Sequence, residues 1–207
     1  MDNFYSPGKF ELTDREISTN YLFQFKNRAH LELKANFVQV LLRKDYDPTN
    51  QGINYLLEGS KYSWSEGSLL FTSENLKTFK YGFQTGYGGF FNGDKLYISG
   101  NLNYRLQPYG YISIIFSYND LILPEPWYRT GFWLLGTKLD ITFADNLFLT
   151  TYVQYNEQAD NLNINARFQW CYKHVSDFLI VYTDNYFPES MNSKKRALVL
   201  KISYWFN

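Results

Sequence analysis

Leu162-Asn163-Ile164-Asn165-Ala166-Arg167-Phe168-Gln169-Trp170 alternates without a break between apolar and polar side chains. An extended chain sends successive side chains to opposite faces, so this stretch reads as a strand with one greasy and one polar face. The same period runs outward in both directions. Leu96, Ile98, Leu102 and Tyr104 alternate with Tyr97, Ser99, Asn103 and Arg105. Phe79, Tyr81, Phe83 and Tyr87 alternate with Lys80, Gly82, Gln84 and Gly86. Leu31, Leu33, Ala35 and Phe37 flank Glu32, Lys34 and Asn36, and Leu198, Leu200, Ile202, Tyr204 and Phe206 close the chain in the same rhythm. No segment carries the 3.6-residue period of an amphipathic helix.

The pattern predicts eleven strands, at 16–26, 29–41, 57–72, 77–91, 95–106, 109–119, 131–143, 147–156, 162–172, 178–185 and 196–206. Residues 1–15 read as a lead-in on the extracellular side, and 1–207 as one β-barrel domain or a fragment of one. Many of these strands reach the ~9–11 residues that cross a bilayer at a tilt. The connections at 27–28, 73–76, 107–108, 145–146 and 173–177 are short. Those at 43–56, 120–130 and 186–195 are long, and lie at the opposite rim together with 92–94 and 157–161. Short turns at one rim and long loops at the other match an outer-membrane barrel. The expected fold is therefore all-β: an antiparallel up-and-down transmembrane β-barrel.

Composition narrows the choices. The chain has 207 residues, and 20 Lys+Arg balance 20 Asp+Glu, so there is no electrostatic footprint for nucleic acid. Aromatic residues reach 20%. Many fall near strand ends, as Phe90, Tyr109, Trp133, Phe143, Trp170 and Trp205 do, where barrels carry aromatic girdles. No apolar run approaches the ~18 residues of a spanning helix. The single Cys171 excludes an intrachain disulfide. Residues 1–15 lack the pattern of a secretory signal. Single-chain barrels have an even number of strands, so a count of eleven implies a missing upstream strand or a miscount. The expected location is the outer membrane, as part of a longer, signal-bearing precursor.

The polar faces hold Glu32, Lys34, Lys80, Arg105, Lys138, Asp140, Arg167 and Lys201 at mid-strand. Facing lipid, each Arg or Lys would cost ~2–4 kcal/mol near the midplane, so these eight are expected to line a lumen. Whether they border a pore or a salt-bridged plug stays open at this level.

Five stretches carry a family resemblance: Leu123-Pro-Glu-Pro-Trp127, Phe148-Leu-Thr-Thr-Tyr-Val-Gln-Tyr-Asn-Glu-Gln158, Asn163-Ile-Asn-Ala-Arg-Phe-Gln-Trp170, Ser176-Asp-Phe-Leu-Ile-Val-Tyr-Thr-Asp-Asn185 and Arg196-Ala-Leu-Val-Leu-Lys201. Together they resemble the C-terminal barrel of the Bacteroidetes family defined by domain of unknown function 5916. The resemblance is sharpest over 120–207, and Cys171 stands where the family pattern has a basic residue. It implies a large outer-membrane barrel behind a signal peptide and a module like family 9 carbohydrate-binding modules, neither present here. No catalytic residues carry over. The final alternating segment also resembles the terminal strand by which barrels are recognised for assembly, although it ends in Asn207 rather than an aromatic.

Sites for chemistry are few. His30 and His174 stand next to short turns, and His174 with Asp177 is a candidate pair for activating water. A plain turn histidine is the favoured reading, because no third group orients the pair. Trp127 and Tyr128 are candidates for stacking on a glycan, weighed below a role in anchoring their loop at the rim. Asp45 and Asp47 could meet calcium, with a solvated loop the simpler reading. The cluster Gly86-Tyr-Gly-Gly-Phe reads as a strand that bends or lies close to another. No cofactor or metal is expected. The expected partners are the lipid bilayer, the outer-membrane assembly machinery and a glycan, not nucleic acid. The expected role is structural or porin-like transport in surface carbohydrate or solute handling, not enzymatic in this segment. A hydrolase of carbohydrate breakdown and a soluble β-rich binding protein are the alternatives.

Overall fold

Alternation this regular commits the backbone to hydrogen bonds between strands, and the computed structural model, which describes residues 1–5, 12–74 and 76–206, shows where they go. Twelve strands follow in chain order: β1 Asp2–Tyr5, β2 Leu12–Gln24, β3 His30–Leu41, β4 Lys61–Thr72, β5 Phe79–Phe90, β6 Gly93–Leu106, β7 Gly110–Ile122, β8 Arg129–Ala144, β9 Leu147–Asn156, β10 Asn161–Lys173, β11 Ser176–Tyr186 and β12 Ser193–Ile202. They form one sheet in which each strand is bonded to its neighbours in sequence, from β1 to β12. The protein is an all-β, antiparallel up-and-down meander, with no helix among the described residues.

The strand count corrects the sequence reading of eleven. Asp2-Asn-Phe-Tyr5 is too short to show a period, yet it pairs with Leu12–Glu16, as Asp2↔Glu16 and Tyr5↔Leu12. The lead-in expected at 1–15 therefore contains β1 and the start of β2, while residues 6–11 lie outside the described ones. Other boundaries shift by a few residues, β4 for instance starting at Lys61 rather than 57. β7 and β8 extend into the expected loop at 120–130 and leave only 123–128 between them, because the Leu123 N–H bonds the Tyr128 carbonyl and closes the hairpin tightly. β12 ends at Ile202 rather than 206, although Ser203 still exchanges backbone hydrogen bonds with Asp177.

The chain forms two compact units. One comprises Met1–Asn75, Gly82–Gly100 and Ser117–Phe132, and the other Leu76–Tyr81, Asn101–Phe116 and Trp133–Asn207.

In the first unit, the buried apolar side chains among the described residues are Ala29, Leu42, Leu56, Leu121 and Leu123. They belong to turns, loops and strand ends, not to the middle of the sheet. The loop 42–60 is a folded element. Tyr46 and Leu56 exchange two backbone hydrogen bonds, and Leu42 bonds Ser60 and Gly59. On the strands, the burial usual for a sheet in water is inverted. Leu33, Phe37, Phe83 and Tyr87 are exposed, whereas Glu32, Lys34, Asn36 and Gln84 are half-buried.

Close approach explains the glycine cluster. A Cβ on Gly88 would stand 2.4 Å from the Glu66 backbone, and one on Gly86 would stand 2.5 Å from the Tyr97 ring. The β4 backbone leaves no room for a side chain at Gly88, and the Tyr97 ring would have to move aside for one at Gly86.

In the second unit, no apolar side chain is buried among the described residues. Leu135, Trp133, Trp170, Leu198, Leu200 and Ile202 are all exposed, Leu198 by 62%. The last strand is exposed along its whole length.

Candidate functional site

Register decides which polar residues meet. Directly opposed residues share a face, so the polar face can be followed row by row.

In the first unit, one row runs Ser18, Asn36, Glu66, Gly88, and the next runs Asn20, Lys34, Ser68, Gly86. The Asn36 side-chain amide donates to Glu66 Oε1 at 2.9 Å. Lys34 Nζ lies 3.5 Å from Glu16, and Asn20 donates to Glu32 at 3.4 Å. At the end of the same face, Trp64, Phe90 and Phe91 pack ring against ring, with Phe91 also meeting Tyr46 and Tyr62. Lys95 Nζ stands 5.1 Å from the Phe90 ring.

In the second unit, the central row runs Asp140, Thr150, Arg167, Val181, Val199. Lys138 Nζ is 2.8 Å from Asp140, and the Thr150 hydroxyl donates to the same carboxylate at 2.7 Å. Arg167 donates to Gln169 Oε1 at 3.0 Å, and the Gln169 amide donates to Asp177 at 3.2 Å. Asp140, Thr150, Arg167, Gln169 and Phe148 line an open cleft. Beyond it, Asn165 donates to Thr183 at 2.7 Å, and Asn163 and Asn161 both donate to Asn185. This is a hydrophilic surface of paired dipoles and mixed charges. It offers hydroxyl-rich or charged solutes many hydrogen-bonding partners.

The other expected residues fall as follows. Lys80 is half-buried in β5, and Arg105 is exposed in β6, where its N–H bonds the Thr78 carbonyl. Lys201 is exposed on β12 opposite Leu179. His30 faces Gln24 and Thr72 across its neighbouring strands. His174 is exposed in the turn between β10 and β11, while the Asp177 carboxylate takes the Gln169 amide instead. Trp127 donates its indole N–H to the Asn54 carbonyl at 3.2 Å, tying its loop to 42–60. Tyr128 is 60% exposed. Asp45 accepts the Glu58 N–H at 2.9 Å.

Asp47 is the hub of the 42–60 loop. It accepts the Thr49 N–H at 2.8 Å, the Thr49 hydroxyl at 2.7 Å and the Gly52 N–H at 2.6 Å. Partial burial pushes its carboxyl up. The donated hydrogen bonds, from the Thr49 hydroxyl first, pull it down further and leave it below its ordinary value. Burial raises the neighbouring Tyr46 phenol, and the Asp47 charge adds to the effect. Among the described residues, no cluster of His, Cys, Asp and Glu could hold a metal ion.

Sequence reasoning missed two ion pairs on the opposite, apolar face. Arg129 grips Asp120, and Arg196 grips Asp184. Each joins residues on neighbouring strands whose register the sequence does not state.

No protein-family model matches the chain, and neither a curated protein nor a solved structure matches it. The class of protein therefore rests on the fold alone: a twelve-stranded antiparallel meander with one apolar and one polar face.

Proposed function

We propose that the chain is an outer-membrane β-barrel protein of the domain-of-unknown-function-5916 type. Its role would be structural or in transport, in the handling of surface carbohydrate or another solute, and this segment performs no catalysis. The observation that carries the reading is the inverted polarity of the strands. Leu33, Phe37 and Phe83 are exposed while Glu32, Lys34 and Gln84 on the other face are half-buried. Burying one such side chain is worth ~1.5–3 kcal/mol, so a sheet displaying so many of them to water would forfeit much of its driving force. Hydrocarbon around the apolar face removes the penalty, and a water-filled interior suits the polar rows. Lys138–Asp140, Arg167 and the Asn–Thr rungs would then present the hydrogen-bonding surface that a passing solute meets.

The test is heat-modifiable gel mobility of the full chain refolded in detergent, combined with flotation on phosphatidylcholine vesicles. The expected result is a faster band before boiling than after, and protein in the floating fraction. A monodisperse, cooperatively melting protein in plain buffer that stays at the bottom of the gradient would overturn the proposal.

A further inference from the structure

Two hairpins carry the same device on the apolar face, at the end where the longer connections emerge. In β11–β12, Asp184 lies opposite both Ile164 and Arg196. Its side chain is wholly buried. It accepts the Ser193 hydroxyl at 2.6 Å, the Tyr182 hydroxyl at 2.8 Å and the Nε–H of Arg196. Arg196 itself remains 58% exposed. Two residues earlier on the same side of β12, Lys194 stands 4.2 Å from the Phe187 ring and donates to the Asp160 carbonyl. Immediately below, Leu198, Leu200 and Ile202 continue the face as bare hydrocarbon. In β7–β8, Asp120 is buried beneath Arg129 in the same fashion, with the Arg129 side chain 70% exposed. Tyr118 lies beside it, over Gly131.

The geometry sorts the charges by depth. Each carboxylate is at the bottom, Asp184 bonded by Ser193, Tyr182 and Arg196 and Asp120 by Arg129, and each guanidinium is the exposed partner. A guanidinium has five N–H donors in a planar fork that matches phosphate oxygens. At the boundary of an apolar band, such a fork meets headgroups rather than acyl chains.

We propose that Arg196 with Lys194 holds the phosphate of a phosphorylated lipid headgroup at the long-connection end of its hairpin, and that Arg129 holds a separate one at the corresponding end of its own. This rests on the membrane reading above and names the partner of its apolar face. The buried carboxylates act as positioning groups that keep each cation upright.

The experiment uses the full chain in three steps. Flotation on phosphatidylcholine vesicles comes first, and failure to float overturns the membrane reading and this proposal together. Native mass spectrometry then compares retention of dioleoyl phosphatidic acid with that of dioleoylglycerol, which has the same chains and no phosphate. The wild type is expected to retain the phosphatidic acid alone. Each cation near a charged headgroup is worth about 1 kcal/mol, or about fivefold. The pair Lys194→Gln with Arg196→Gln should therefore lower the share of protein carrying a second lipid at least about fivefold, with the lipid held at Arg129 and the heat-dependent gel shift intact. Should Arg196→Gln not assemble, Lys194→Gln alone leaves Asp184 paired and should still reduce retention. Unchanged retention in a floating, folded variant overturns the proposal. Displacement of the lipid by millimolar inorganic phosphate overturns it too, because that would mark a free-anion site.

Discussion

Arg129 closes on Asp120 with two prongs. Its Nη2 lies 2.7 Å from Oδ2, and its Nε lies 3.0 Å and 3.2 Å from the two carboxylate oxygens. The carboxylate is 4% exposed and the arginine side chain 70% exposed, so the two partners are not equivalent. Arg129→Ala would strand a buried charge, whereas Asp120→Ala would leave a cation that solvent can reach. The expected order of the urea midpoints for loss of the gel shift is wild type, then Asp120→Ala, then Arg129→Ala. Equal losses would mean that the pair is held by its surroundings rather than by the buried carboxylate.

The two faces of the strands offer a second discrimination. Ala35 is exposed on the apolar face of β3, and Asn165 is half-buried on the polar face of β10. In water, an arginine at exposed Ala35 would be nearly neutral, and one at Asn165 would disturb the bond to Thr183. In a bilayer the order reverses, because a mid-strand arginine facing lipid costs ~2–4 kcal/mol. Ala35→Arg is expected to reduce folding yield into vesicles well below that of Asn165→Arg. The opposite ranking would argue for an aqueous setting.

The alternation at 162–170 and 31–37 sufficed to read strands and their faces, because a period of two is a local property. That reading failed where the signal was short or non-local. β1 has four residues and is recognisable only through its pairing with Leu12–Glu16. Asp120 and Arg129 looked like loop residues flanking Pro124 and Pro126, and only the closed hairpin brings them together. Asp184 and Arg196 were visible as strand residues, but a shift of one position would have put them on opposite faces. The rung Asp140–Thr150–Arg167 is likewise a product of register, which no single segment encodes.

Val175 is in the two-residue turn between β10 and β11 with φ at 58°, a region that a β-branched side chain occupies only under strain. The side chain is 62% exposed, so little packing opposes its removal. Val175→Gly should relieve the strain and raise stability by about 1 kcal/mol or slightly less, after the cost of a more flexible unfolded chain. The check is the denaturant midpoint of the gel shift. Phe91 shares the positive φ, at 54°, but its ring packs against Tyr46, Tyr62, Trp64 and Phe90. Phe91→Gly is therefore expected to destabilise, and a gain there would show that the ring cluster contributes nothing.

The 42–60 loop should loosen in acid, and the sign follows from Asp47. Its carboxyl is held below the ordinary value by hydrogen bonds that exist only in the folded loop. A depressed folded value means that the stabilisation is complete above the ordinary carboxylate range, near pH 4. It is then lost progressively as pH falls toward the lower, folded value. Exchange protection of the Thr49 and Gly52 amides, corrected for intrinsic rate, should be flat above about pH 5 and decline below about pH 4. Asp47→Asn keeps an acceptor but removes the charge, so its protection should be weaker at neutral pH and nearly independent of pH across that window. If the wild-type amides remain equally protected through the acid range, the loop is held by the Tyr46–Leu56 bridge and the Trp127–Asn54 bond, and Asp47 is a passenger.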